Sequence, residues 1–234
     1  SYVDNFDGRS LDTAKWVVQK TAVTGFKSGE TCFTDSSKNI QVARGELKLT
    51  AATLKGPFVC RSPYGDFTTK YTGGMIGTKG KFSQTYGKFE VRAKYPDVST
   101  PGVHGGFWML PVNNTYGGWP ASGEIDVAEW FSNAPTLVLP SLHYVGRDMV
   151  VDSGWDCNVQ SWNSYHTYTL EWAATGMTFA IDGNVCFTRT PEPDSPLVAP
   201  QPFDQPFSMI LNMGVGPLGG SNPVSSSTKL PATY

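Results

Sequence analysis

Trp119-Pro-Ala-Ser-Gly-Glu-Ile-Asp-Val-Ala-Glu-Trp130 sets Glu124, Asp126 and Glu129 among Ile125, Val127, Ala128 and Trp130, with no Lys or Arg between them. A solvated run of acids carries cations among its charges, whereas these apolar partners predict a strand with one face in a core. Side chains alternate along a strand, which puts Glu124 and Asp126 on one face. Strict alternation would turn Glu129 into the core, where an unpaired carboxylate is costly. One extra residue around Val127 and Ala128, a β-bulge, removes that conflict and brings Glu129 beside the other two. The strand is thus predicted to present three carboxylates on one surface.

Two carboxyls roughly 5 Å apart do not ionise together: one gains proton affinity while the other stays anionic. Such a pair supports attack by one member and proton delivery by the other, the arrangement of glycosidases that retain anomeric configuration. Asp126, between them, is placed to hydrogen-bond one and help set its charge. A calcium-binding or merely solvent-facing strand would carry the same acids. Trp108, Trp119 and Trp130 nearby favour a sugar, whose apolar ring faces pack on exposed aromatics, although part of that aromatic set belongs to the core.

Outward from this stretch the chain alternates in short runs. In Gly87-Lys-Phe-Glu-Val-Arg-Ala-Lys-Tyr95, Phe89, Val91, Ala93 and Tyr95 face one way and Lys88, Glu90, Arg92 and Lys94 the other. Tyr168–Trp172 and Met177–Ile181 are two further strands, with Asp182-Gly183 as a turn before Val185–Phe187. Phe207–Met213 is apolar on nearly both faces. Its polar member, Asn212, either presents its amide to a cleft or is a core amide satisfied by backbone, and the cleft is preferred. Helical periodicity is nearly absent, and 25 glycines and 17 prolines are scattered as punctuation. These features predict an all-β sandwich of two sheets.

The 234 residues suffice for one core, and a single domain over 1–234 is expected. Only 16% are charged and the formal net charge is −2, which excludes the basic footprint of a nucleic-acid binder and a polybasic membrane patch. A neutral polymer suits that balance. No apolar stretch approaches the ~20 residues of a membrane span, and the N-terminus reads as that of a mature form without a leader. Cys32, Cys60, Cys157 and Cys186 lack metal-ligand spacing relative to one another and to the histidines. Neighbouring positions suggest Cys32–Cys60 and Cys157–Cys186, with the other pairings open, and either bridge implies an oxidising, extracellular compartment.

Gly123-Glu-Ile-Asp-Val-Ala-Glu129 resembles the signature of family 16 glycoside hydrolases, in the bulged ExDxxE form of laminarinases. Asp4–Trp16, Thr78–Phe82 with Tyr86–Lys94, Phe107–Pro111, His166–Trp172, Ile181–Gly183 and Ile210–Gly216 extend the likeness over almost the whole chain. The resemblance implies a β-jelly roll of two antiparallel sheets, with the substrate across a concave cleft. It also implies retaining attack on internal 1,3-β-glycosidic bonds of glucans such as laminarin. By matched position Glu124 is the nucleophile, Glu129 the acid/base and Asp126 the auxiliary carboxylate. Glu90, Arg92, Trp108, Trp119 and Asn212 match cleft positions, and His143 resembles a cleft histidine close to the acid/base. No cofactor is implied for the reaction, and the expected partner of this secreted or cell-surface monomer is a β-glucan.

Three departures from the laminarinase pattern stand out. His104, in Gly102-Val-His-Gly-Gly-Phe-Trp108, occupies the place of a stacking tryptophan; Ala128 replaces a methionine inside the bulge, leaving room beneath the acids; and Pro217-Leu-Gly-Gly220 lacks a further tryptophan. Losing two stacking rings weakens glucan binding by about tenfold or more. A glucan-binding protein with poor turnover is therefore the alternative function. Family members usually close with a strand whose aspartate helps bind a structural calcium. That strand is expected to be missing here, which leaves any calcium to backbone oxygens near Asp4 and Gly45.

Overall fold

The structure is a computed structural model that describes every residue from Ser1 to Tyr234. Its strands are β1 (Val17–Val18), β2 (Thr31–Phe33), β3 (Ile40–Ala43), β4 (Glu46–Cys60), β5 (Phe67–Gly77), β6 (Gly87–Ala93) and β7 (Val103–Pro111). They continue with β8 (Glu124–Phe131), β9 (Val138–His143), β10 (His166–Ala173), β11 (Gly176–Ile181), β12 (Asn184–Arg189), β13 (Phe207–Val215) and β14 (Ala232–Thr233). The only α-helix is the four-residue turn Thr21–Thr24. It is far too short to cross a membrane, and no helix is long and apolar enough to do so.

Two sheets form the sandwich. The larger runs β14-β4-β5-β13-β7-β8-β9, with β1 and β2 on β5 and β3 on β4; the smaller runs β12-β11-β10-β6. All pairings are antiparallel except β2 with β5. The alternation expected of β6 is present, since Phe89 and Ala93 are buried while Lys88, Glu90 and Arg92 are exposed. Phe89, Tyr168, Leu170, Trp172 and Phe179 of the smaller sheet share one core with Phe107, Met109, Ile125, Val127 and Trp130 of the larger. Every residue of β13 is buried, because it lies between β5 and β7 with the core on one side and a cleft floor on the other. Asp182 and Gly183, with φ of 52° and 79°, make the hairpin turn that joins β11 to β12.

The cysteines pair as Cys32–Cys60 and Cys157–Cys186. At the C-terminal end Ala232–Thr233 pairs with Thr50–Ala51, and Tyr234 exchanges backbone hydrogen bonds with Leu49 at 2.8 and 2.9 Å. A strand of two residues has no periodicity to read, so only the pairing reveals it.

The bulge lies where the acid spacing demands it. On the β7 side Phe107 pairs with Ala128 but Trp108 with Asp126, and on the β9 side Ser141 pairs with Asp126 but Leu139 with Glu129. Val127 and Ala128 thus both turn to the core while Glu129 rejoins the outer face. The wholly buried Tyr95 holds the kink from inside, donating its hydroxyl hydrogen to the Ala128 carbonyl and stacking on Trp130 at 5.3 Å. Tyr95→Phe removes that donor. It is expected to lower stability by about 1 kcal/mol in denaturant unfolding, with kcat falling more than KM rises.

Candidate active site

The outer face of the larger sheet carries a cleft of about 640 Å³. Alternation brings His104 and Trp108 from β7, Glu124, Asp126 and Glu129 from β8, and Asn212 from β13 to its surface. Gly106 sits between His104 and Trp108, opposite Glu129. At its φ of 154° a Cβ would lie 2.2 Å from the Ala128 carbonyl oxygen, so β7 can follow the bulge only with glycine there.

Each acid meets a different set of donors. The Trp119 indole N–H donates to Glu124 Oε2 at 2.6 Å from a mostly exposed ring. Its loop is pinned by Ser122, whose Oγ donates to the Gly117 carbonyl at 2.6 Å and accepts from the Tyr116 amide at 3.0 Å. Asp126 is buried, and its Oδ2 accepts from Ser141 Oγ at 2.9 Å and lies 2.8 Å from His143 Nε2. Glu129 Oε1 lies 2.8 Å from His104 Nε2. Burial raises the proton affinity of Glu124 well above the usual carboxylate range, reinforced by the Asp126 charge and a hydrogen bond between the two, and opposed by the Trp119 donor. Glu124 therefore keeps its proton to higher pH than a free carboxyl does.

Aromatic rings line the cleft beside Asp126 and Glu124. Trp108 leans on Phe26 at 5.4 Å and donates its indole hydrogen to Asn212 Oδ1 at 2.9 Å. Trp119 leans on His143 at 5.9 Å. Lys27 and Lys79 add cationic groups to the same lining.

Of the residues expected from sequence, Glu124, Asp126, Glu129, Trp108, Trp119, His104 and Asn212 converge here. Glu90 and Arg92 do not. Their strand alternates as expected but belongs to the smaller sheet, whose inner face fills the core, so its polar face is the far side of the molecule. There Glu90 pairs with Lys88 at 2.9 Å and accepts from Thr169 at 3.0 Å, and the Arg92 guanidinium lies over the Tyr165 ring at 4.3 Å. His143, expected close to the acid/base, lies instead against Asp126, and the histidine on the acid/base candidate is His104. Ala128 is wholly buried, with its carbonyl held by Tyr95. Sequence reasoning passes over Tyr95, Ser141, Ser28 and Phe26. Ser141 is the accessible one, because alternation from His143 puts it on the same face.

The set of acidic and imidazole donors that converges most closely, Glu124, Asp126 and His143, lies within 4.8 Å, and its members already bond one another or Trp119. Near the N-terminus the Asp4 carboxylate accepts from the Trp16 indole at 2.7 Å and the Phe6 amide at 2.8 Å, and it belongs to no cluster of three acidic or imidazole groups.

A bulged acid strand on the outer face of an all-β sandwich is the layout of carboxylate-based glycosidases. The family model described as Glycosyl hydrolases family 16 matches residues 26–227, and the chain belongs to that family. It is 32% identical to the glucan endo-1,3-beta-glucosidase A1 of Niallia circulans over 98% of this chain and 36% of that protein. It is likewise 32% identical to the glucan endo-1,3-beta-glucosidase of Cryptopygus antarcticus over 91% of this chain and 78% of that one. Among solved structures it matches the laminarinase from Rhodothermus marinus at 30% identity and a TM-score of 0.79, covering 98% of this chain and 91% of that one. The chain thus spans only about a third of the Niallia relative's length.

Because folding raises the proton affinity of Glu124, the folded chain keeps a proton that the unfolded chain releases above the ordinary value of 4.5. The stability this proton confers is complete below that value and is lost as pH rises from there through the raised folded value. Glu124→Gln removes the penalty while keeping an acceptor for Trp119. It is expected to stabilise by roughly 1 kcal/mol or more at pH 8 and by almost nothing near pH 4, read from paired thermal melts.

Proposed function

We propose that this chain is a retaining endo-β-glucanase that hydrolyses internal 1,3-β-glycosidic bonds of glucans such as laminarin. The carrying observation is the bulge that turns three carboxylates, each with its own donor, into one aromatic-walled cleft. The relatives' named activities support the glucan and the linkage.

Glu124 attacks the anomeric carbon while Glu129 gives its proton to the departing glycosidic oxygen, leaving a glycosyl-enzyme. Glu129, now anionic, takes a proton from water, which displaces Glu124 and restores the β configuration. Attack requires Glu124 to be the anionic partner of its pair. Ser141 and His143 engage Asp126 Oδ2 and so fix that carboxylate beside Glu124. Trp108 and Trp119 supply ring faces for the sugars, and Asn212 fixes the Trp108 ring. The 234 residues act as one catalytic domain, as a monomer, without a cofactor. The two disulfides support export to an oxidising compartment.

Proton NMR of fresh laminarin digests is expected to show β-anomers first, and initial α-anomers would overturn the retaining assignment. Across polymers, laminarin should be cleaved fastest, lichenan second and α-linked pullulan not at all. Glu124→Gln should abolish laminarin cleavage, with full activity refuting the nucleophile assignment. The absence of tryptophan at His104 and in Pro217–Gly220 motivates a second reading, a glucan binder with poor turnover. Calorimetric binding to laminarin without release of reducing ends would establish it.

A further inference from the structure

Resting on the assignment of Glu129 as the acid/base, we propose that His104 is a positioning residue that confines the catalytic proton to the Glu129 oxygen facing the substrate. His104 Nε2 lies 2.8 Å from Glu129 Oε1, and Ser28 Oγ lies 3.3 Å from His104 Nδ1. The ring is fixed by stacking on Phe131, with centroids 4.5 Å apart and planes 20° apart. Ser28, His104 and Glu129 form a relay of side chains that runs from the segment before β2, across β7, to the acid strand.

The chemistry of the two steps selects the tautomer. In the second step Glu129 is a carboxylate, so the short contact needs a hydrogen on Nε2. In the first step Glu129 carries a proton, and the same Nε2–H on Oε1 leaves Oε2 to hold it. The neutral imidazole with hydrogen on Nε2 therefore serves both states. In that tautomer the Ser28 hydroxyl donates to the Nδ1 lone pair. The opposite tautomer would present a lone pair to Oε1, draw the acid proton onto that oxygen and turn it from the bond to be broken. Other charged groups act on the same carboxyl: Glu124 and Asp126 from its own strand, Lys27 from the segment before β2 and Lys79 from beyond β5. Behind it, the Tyr95 hydroxyl is committed to the Ala128 carbonyl.

The test compares the whole chain with its His104→Phe, His104→Gln, Ser28→Ala and Glu129→Ala variants on laminarin and on a 2,4-dinitrophenyl β-laminaribioside. The dinitrophenolate departs without needing a proton. His104→Phe keeps a ring on Phe131 but loses the N–H. It is expected to lower kcat on laminarin about tenfold, with the first-turnover burst of dinitrophenolate, which reports the first step alone, changed less than about twofold. The N–H favours the anion, so its loss should move the basic limb of the pH–kcat/KM profile to higher pH. His104→Gln, whose amide N–H reaches the same oxygen, should keep the rate within about threefold of the parent and the limb in place. Ser28→Ala should move both part of the way towards His104→Phe. An unaltered rate and limb in His104→Phe, or an equal loss on both substrates with the limb unmoved, would overturn the role of His104. Glu129→Ala separates this from the underlying reading. If it still cleaves laminarin, the acid/base assignment fails; if it loses laminarin but still releases dinitrophenolate, that assignment stands whatever His104→Phe does.

Discussion

One extra residue in β8 is the constraint on which the site depends. The core side of that strand must bury Ile125, Val127, Ala128 and Trp130, and the cleft side must present Glu124, Asp126 and Glu129. Seven residues cannot meet both demands with a period of two. The bulge resolves the conflict at the cost of a kinked backbone with a displaced carbonyl, and both neighbours are adapted to it. Gly106 on β7 has no Cβ to strike the Ala128 carbonyl, and Tyr95 supplies a hydroxyl to it from the core. Tyr95 is in turn stacked between Trp130 and Tyr234, so the C-terminal tyrosine helps to hold the acid strand in register.

Gathering three carboxylates in a half-buried cleft is electrostatically unfavourable, and the structure uses the donors that relieve the strain to separate the roles of the acids. Glu124 receives one indole hydrogen against burial and the Asp126 charge, which together raise its proton affinity. Asp126, the most buried, is held by a hydroxyl and lies against an imidazole on one oxygen. Glu129 stands apart from this pair, with its own histidine. Chemically identical side chains thus acquire different tasks from their partners.

Alternation in β6, the Asp182-Gly183 turn and the conflict at Glu129 each reduce to a period or a backbone preference, so strands, hairpin and bulge are legible in the amino-acid order. What periodicity cannot carry is which sheet a strand joins. Glu90 and Arg92 lie on the wet face that alternation assigns them, yet only sheet order shows that face to be the far one. That His104 and not His143 meets Glu129 has a related reason. Both sit on the cleft face, and which acid each meets is decided by cross-strand register around the bulge, a pairing fact absent from either strand alone.

The His104 substitution also bears on how a polymer is gripped. A tryptophan there would give a sugar a flat apolar face worth on the order of 1 kcal/mol. The imidazole is smaller, already stacked on Phe131 and committed to Glu129, so it offers the substrate little surface. The remaining platforms are Trp108, backed by Phe26, and Trp119, which lie in the regions flanking the acids. Trp119 cannot shift without disturbing the hydrogen bond to Glu124, and Trp108 is tied to Asn212 on the cleft floor. On the roles proposed above, binding surface and reacting carboxylate are mechanically linked: the ring that would receive the sugar also donates to Glu124. That linkage concentrates the interaction energy near the cleavage point, where it can distinguish the transition state from the ground state.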